Sequence, residues 1–346
     1  MQGSWMDRRA RELAKACAYQ SGALGMWRSL HKQPALTVVM FHRVLPTADG
    51  RASVADPHFT VSTKLFDQCL DFFANHYSVV SLEDVQNARD GIRRLPEDAI
   101  LITFDDGWAD TSEYAVPLLQ KRGLPAVVFL ASSAIGRREG FWQETLVAAV
   151  RRAASAAPLK TLWEQLGEEP PTGGNELLEV TRRRLASIPI HERSALLHGL
   201  TDVWENAPAA MSSAAQIIDM QRAGIAIGCH GVTHEPLAAP AQASDEAIRW
   251  RHDVAALPGW RQDRAMETLS FPHGRYSQEV LEAVRDAGYS LLFTSDPSLN
   301  GLDDRAACGS VLGRIPVVAS EIATANGDLA AHRLACWLFL RPVQRL

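Results

Sequence analysis

Two neighbouring carboxylates and a pair of closely spaced imidazoles dominate the chemistry available to this sequence. Asp105 and Asp106 close an apolar run, Ala99-Ile100-Leu101-Ile102-Thr103-Phe104, and Gly107 follows them. Adjacent carboxylates repel, and when desolvated one of them is driven to take up a proton unless a cation relieves the cost. His230 and His234 frame the segment His230-Gly231-Val232-Thr233-His234. Imidazoles at that spacing can share one metal ion. With one aspartate they form a three-ligand set for zinc or a similar divalent ion, leaving positions open for water or substrate. The other aspartate is then free to act as a base beside the bound water. That division of labour suits hydrolysis of an amide or an ester. The leaving group still needs a general acid, a task that fits a histidine near neutral pH. No HExxH pattern is present, which argues against the peptidases built on it. Taken singly, Asp-Asp-Gly also reads as a solvated turn, and the histidines as two residues near a cap. Together they favour the metal.

The elements that must position these residues alternate between strand and helix. A strand at 36–41 ends at His42, and a helix covers 62–76, with Leu65, Phe66, Cys69, Leu70 and Phe73 at helical spacing. A short strand at 77–80 precedes Ser81-Leu82-Glu83-Asp84, a capped helix start. The run before Asp105 is apolar on both faces, as a buried parallel strand requires. A helix near 111–122 stops at Gly123, and residues 125–130 form another buried strand. Residues 137–215 are helical in pattern and broken by a Pro/Gly cluster at 169–174, which predicts a helical insertion. Strands resume at 223–229, 268–271, 289–294 and 312–318, with a helix at 278–287. This alternation predicts an α/β fold with a parallel sheet or barrel. In such folds functional groups gather at the C-terminal strand ends. His42, Asp105 and Asp106, His230 and His234, and Pro272-His273-Gly274 all stand at such ends.

Composition sets outer bounds. The 346 residues are 47% apolar and 22% charged, ordinary for a soluble globular protein. A net charge of -5 gives no reason to expect nucleic acid. Cys17, Cys69, Cys229, Cys308 and Cys336 are scattered without a CxxC pair and read as reduced thiols of a cytoplasmic chain. The N-terminus lacks a secretory pattern, and no apolar run approaches the ~20 residues of a membrane span. Residues 5–30 and 332–341 mix basic with apolar side chains, compatible with weak association with the inner membrane face. The expected organisation is an N-terminal helical segment (1–33), a barrel (34–320) with its insertion at about 137–215, and a basic, aromatic tail (321–346).

The segments Thr103-Phe104-Asp105-Asp106-Gly107 and His230-Gly231-Val232-Thr233-His234 resemble the first two motifs of the polysaccharide deacetylase family, also called the NodB-homology fold or carbohydrate esterase family 4. Phe41-His42-Arg43-Val44 and Phe271-Pro272-His273-Gly274 resemble its exopolysaccharide and poly-N-acetylglucosamine deacetylase branch. The resemblance covers roughly residues 36–136 and 220–318. It implies an irregular (β/α) barrel with fewer than eight strands. It also implies metal-dependent removal of N-acetyl groups from an amino-sugar-containing saccharide or glycoconjugate, free or joined to a lipid or nucleotide. The expected cofactor is one divalent ion, zinc by first choice.

Carried over residue by residue, Asp105 becomes the general base and Asp106, His230 and His234 the metal ligands. The backbone N–H of His273 joins in stabilising the oxyanion. With no Leu-x-His match near the C-terminus, His42 becomes the general acid. Ser270 occupies the place of the arginine that usually tunes the base, so Arg275 and Arg314 stand as alternative partners for Asp105. His273 stands where an aromatic residue is common. Trp108, Trp142 and Arg275 are candidates for substrate contact. The rival readings are a hydrolase of another amide or an O-acetyl ester on the same fold, and a non-catalytic carbohydrate-binding member.

Overall fold

The computed structural model describes residues 2–30, 34–170, 177–205, 207–303 and 308–344. Residues 171–174 of the expected breaker cluster lie outside the described residues. The strands are β1 (Ala35–Phe41), β2 (Arg43–Leu45), β3 (Thr60–Ser62), β4 (Ser78–Val79), β5 (Ala99–Phe104), β6 (Val127–Leu130), β7 (Ala226–Cys229), β8 (Thr268–Ser270), β9 (Leu291–Phe293), β10 (Leu299–Gly301), β11 (Val311–Leu312), β12 (Ile315–Pro316) and β13 (Val343–Gln344). β1 and β5 are buried along their whole length, which is why both faces are apolar.

Six parallel strands run in the order β9-β8-β7-β6-β5-β1. The chain then closes them with one split strand. β11 pairs with β9, and after Gly313 and Arg314 the same segment crosses over as β12 to pair with β1. The result is the irregular barrel with fewer than eight strands that the motifs imply. β10 runs antiparallel to the start of β1, and β13 pairs with β10. These short strands, one containing Gly301, give no periodic sequence signal.

Alternation along the strands sorts the core into two faces. On the outer face Phe41 and Phe104 pack against Phe66 of the helix Thr63–His76, with ring centroids 5.1 and 5.7 Å from it. That helix starts where the Ser62 hydroxyl accepts from the Leu65 N–H. On the inner face Val38, Leu101, Phe129 and Phe293 fill the barrel. Gly228 is there because a Cβ would lie 2.6 Å from the Phe129 ring. The inward series in β1, β5 and β7 continues one step past the strand to His42, Asp105 and His230. A period of two therefore delivers three candidate groups to one mouth.

Between β6 and β7 the described residues contain five helices of eight residues or more, Trp142–Ala153, Ala157–Gln165, Leu177–Ala186, Ile190–Leu197 and Ala214–Arg222. The first four build their own small core around Leu146, Leu159, Leu162, Trp163 and Leu185. At the other side of the molecule, Gln2–Gln20 packs on Ala331–Phe339, where Arg333 pairs with Glu12 at 2.5 Å. Among the described residues no helix is long and apolar enough to cross a membrane. All five cysteines are free.

Candidate active site

The turn after β5 is built from two successive left-handed residues, Asp106 (φ 79°) and Gly107 (φ 83°). Aspartate is among the few side chains that tolerate this region, and glycine is required next. A Cβ on Gly107 would stand 2.7 Å from Cβ of Leu130 on the neighbouring strand. The turn is stitched to an extended segment, with Ser212 N–H donating to Gly107 C=O and Ala109 N–H to Ala210 C=O. Reversing the chain here sends the two carboxylates in different directions.

Asp106 turns toward the histidines. Its Oδ1 lies 3.3 Å from His230 Nε2 and 3.1 Å from His234 Nε2, all three residues being buried. One ligand atom from each falls within 4.8 Å of the other two. The Trp108 indole N–H donates to Asp106 Oδ2 at 2.8 Å, which fixes the carboxylate plane. His230 Nδ1 faces the Ser270 carbonyl at 2.9 Å. A carbonyl partner places a proton on Nδ1, so Nε2, which faces Asp106, is the nitrogen available to ligate a metal, the arrangement expected of a metal-ligating imidazole. A divalent ion therefore fits these donors. Burial pushes the Asp106 carboxyl up, but His234 and His230 outweigh it and hold the group well below its ordinary value. Burial likewise pulls His230 down, and Asp105 and Asp106 reverse this to a raised value.

Asp105 turns the other way, into a guanidinium. Arg314 donates from its two Nη atoms to Asp105 Oδ1 at 2.6 Å and Oδ2 at 2.7 Å, a bidentate pair. Arg314 is itself held by the Thr294 carbonyl (2.9 Å to Nε) and by Ser270 Oγ (2.8 Å to Nη2). Of the two candidate partners, Arg314 reaches Asp105, whereas Arg275 is exposed. Burial raises the Asp105 carboxyl, but Arg314, followed by His230, lowers it below its ordinary value. Asp105 is thus held in its ionised form although buried.

His42 lies within electrostatic reach of both aspartates. Burial lowers its imidazole below the ordinary value, against the pull of Asp106 and Asp105, and its ring packs 4.7 Å from Phe59. His273 takes a left-handed backbone (φ 58°) after Pro272. Its ring packs at a tilt against His234, centroids 4.7 Å apart, and Nε2 lies 3.1 Å from the His234 carbonyl. The sequence pattern suggested a task only for its backbone N–H, yet the side chain also braces a candidate ligand, itself strained at φ 60°. Trp108, expected to offer a face to a sugar, is 2% exposed. The Arg43 guanidinium lies 4.2 Å above its ring and Phe141 meets it edge-on. With no exposed face, it cannot stack on substrate. Trp142 is half-buried under the guanidinium of Arg193, which pairs with Glu235 beside His234.

Two supports escaped sequence reasoning. Glu246, inside the helix Pro240–Ala255, is buried and accepts from Val232 N–H (2.7 Å), Thr233 N–H (3.2 Å) and the Thr233 hydroxyl (2.6 Å). It organises the backbone between the two histidines. Arg43, fully buried, pairs with Asp110 at 2.9 Å and Glu144 at 3.4 Å, tying β2 to the helical segment. A carboxylate at a buried position of a helix was the available signal for Glu246 and Glu144.

The sequence profile of the polysaccharide deacetylase family matches residues 93–177 and 190–292, more than half of the chain. YxkH of Bacillus subtilis (strain 168), whose name places it provisionally among polysaccharide deacetylases, is 24% identical over 120 residues. That match covers 35% of this chain and 40% of YxkH, so the chain spans less than half of the length of this curated relative. IcaB from Ammonifex degensii superposes with a TM-score of 0.54 at 19% identity, covering 89% of this chain and 98% of that one. The Streptococcus pyogenes deacetylase PplD, solved in complex with acetate, gives 0.52 at 15% identity, covering 88% and 99%. At these identities the two structures bear on the fold alone.

Proposed function

The chain belongs to the polysaccharide deacetylase family, and from that premise we propose that it is a metal-dependent hydrolase removing N-acetyl groups from an amino-sugar-containing saccharide or glycoconjugate. One observation carries the reading. Two adjacent carboxylates are divided between two tasks, Asp106 facing two imidazoles and Asp105 clamped by a buried arginine.

Asp106, His230 and His234 would hold one divalent ion, and two nitrogens with one oxygen suit zinc. When bound, the ion supplies polarisation of the acetamide carbonyl and acidification of water. Asp105, kept ionised by Arg314, accepts the proton of the attacking water. His42 delivers a proton to the departing amine nitrogen, so that amide and water leave as acetate and amine. The His273 N–H donates to the developing oxyanion. Trp108 orients Asp106, while Trp142 and Arg275 are assigned to the saccharide.

Purified protein should release acetate from an N-acetylated hexosamine oligomer, lose this activity on chelation and regain it with zinc. Asp105→Asn should lower kcat by roughly 10²–10⁴-fold while retaining the metal. Faster turnover of an O-acetyl ester or a cyclic ureide than of the acetamide would overturn the substrate assignment. Undiminished activity of Asp105→Asn would overturn the mechanism. Zinc binding without turnover of any of these compounds would favour a non-catalytic saccharide-binding member.

A further inference from the structure

The two terminal segments carry charge opposite in sign to the rest of the molecule. Residues 1–32 hold six Lys/Arg and two Asp/Glu, and residues 331–346 hold three Lys/Arg and no acid. Together they contribute +7 to a chain of net charge -5, which leaves -12 on the remaining 298 residues. Helices of the two segments meet in space. Gln2–Gln20 lies on Ala331–Phe339, where Glu12 is neutralised by Arg333 and Lys15. The helix Ala23–Leu30 places Arg28 over the rings of Tyr77 and Phe339, 4.5 and 4.2 Å from their centroids.

The same corner exposes large apolar side chains. Leu13 (67%), Met26 (64%), Trp27 (43%), Leu30 (75%) and Leu340 (51%) are five of the ten large hydrophobics exposed on the described surface. In Ala23–Leu30 only Leu24 is buried. Exposed leucine, methionine and tryptophan beside arginine and lysine make the composition of a helix that lies in a lipid headgroup layer. A second copy of the chain is a poor occupant, because it would bring two cationic corners face to face.

We propose that this corner docks onto an anionic phospholipid bilayer. The placement sets an orientation. Tyr77, beneath Arg28, leads into β4, which pairs with the first residues of β5, whereas Asp105 follows the last. The docking corner and the catalytic mouth thus lie toward opposite ends of β5, and the mouth of the docked protein faces away from the lipid.

The test uses the full chain and sedimentation with two kinds of vesicle, phosphatidylcholine alone and phosphatidylcholine with about one third phosphatidylglycerol. Binding to the anionic vesicles is expected, accompanied by a blue shift of tryptophan emission that Trp27→Phe diminishes. It should weaken several-fold as salt rises from roughly 0.1 to 0.5 M. Met26→Glu combined with Leu30→Glu should weaken it by about tenfold or more, with acetate release from a soluble oligomer and thermal stability unchanged. Absence of binding to either vesicle, equal binding by wild type and the double variant, or a concentration-dependent dimer that the double variant abolishes without lipid binding would each overturn the proposal.

Discussion

Replacing Arg314 with methionine tests the pairing that carries the mechanism, and the expected cost follows from its geometry. Both side chains are sealed from solvent, at 0% and 4% exposure, and the guanidinium makes two short bonds to Asp105. In Arg314→Met the carboxylate keeps only the Ser270 hydroxyl, at 3.3 and 3.4 Å, too long to replace what is lost. Removing one member of a buried, hydrogen-bonded ion pair costs about 3–5 kcal/mol, because the other charge is left unpaired.

Asp105→Asn should also destabilise, but less, since Arg314 retains the Thr294 carbonyl and the Ser270 hydroxyl. The double variant Asp105→Asn, Arg314→Met removes both charges and should recover most of the loss, giving a coupling energy above ~2 kcal/mol. Equilibrium urea unfolding of the four metal-free proteins measures the cycle. Single substitutions that each cost under ~1 kcal/mol, or that simply add in the double variant, would refute the buried pair. Stability and catalysis separate cleanly here, because the double variant is expected to be stable yet without its base.

Three further outcomes are expected. Glu246→Ala strips three hydrogen bonds from the backbone between His230 and His234 and should weaken zinc affinity by roughly 10–100-fold, with Glu246→Gln intermediate; competition with a chromophoric chelator reads this, and wild-type affinity in both variants would dismiss the positioning role. Gly107→Ala combines a left-handed backbone with a 2.7 Å approach to Leu130 and should cost about 1–3 kcal/mol in urea unfolding, a loss that a passive turn glycine would not show. The hydrogen bonds of Arg51 lower the Asp49 carboxyl from its ordinary 3.8 to about 2. A depressed carboxylate stabilises the fold above its unfolded pKa and loses that contribution as pH falls through its folded value. Thermal unfolding between pH 4 and pH 2 should therefore be less steeply pH-dependent in Asp49→Asn, and an unchanged slope would contradict the pairing.

The barrel was legible because buried parallel strands announce themselves as apolar runs, and because alternation extends them by one residue into the site. The paired histidines and aspartates carry a donor set that few other tasks require. Arg314 was only one of two alternatives, since it lies 209 residues from Asp105 and its reach depends on a strand that changes partners midway. Ser270, read as the loss of a tuning arginine, donates space and a hydroxyl to the arginine that does the tuning. Trp108 illustrates the opposite error, for an aromatic beside a motif suggests a platform, yet its polar edge is what the site uses. The short strands β10 and β13 were missed because two or three residues cannot establish a period.

The split closing strand has a consequence for how the molecule comes into being during synthesis. Every candidate metal ligand has been synthesised once residue 234 is made, whereas Arg314 follows eighty residues later. It stands between the residues that pair with β9 and those that pair with β1, so both pairings hold it against Asp105. A chain cut before residue 314 therefore carries the candidate metal donors without the cation that keeps Asp105 charged. The residue that holds Asp105 ionised is thus also one whose placement depends on the ring being shut.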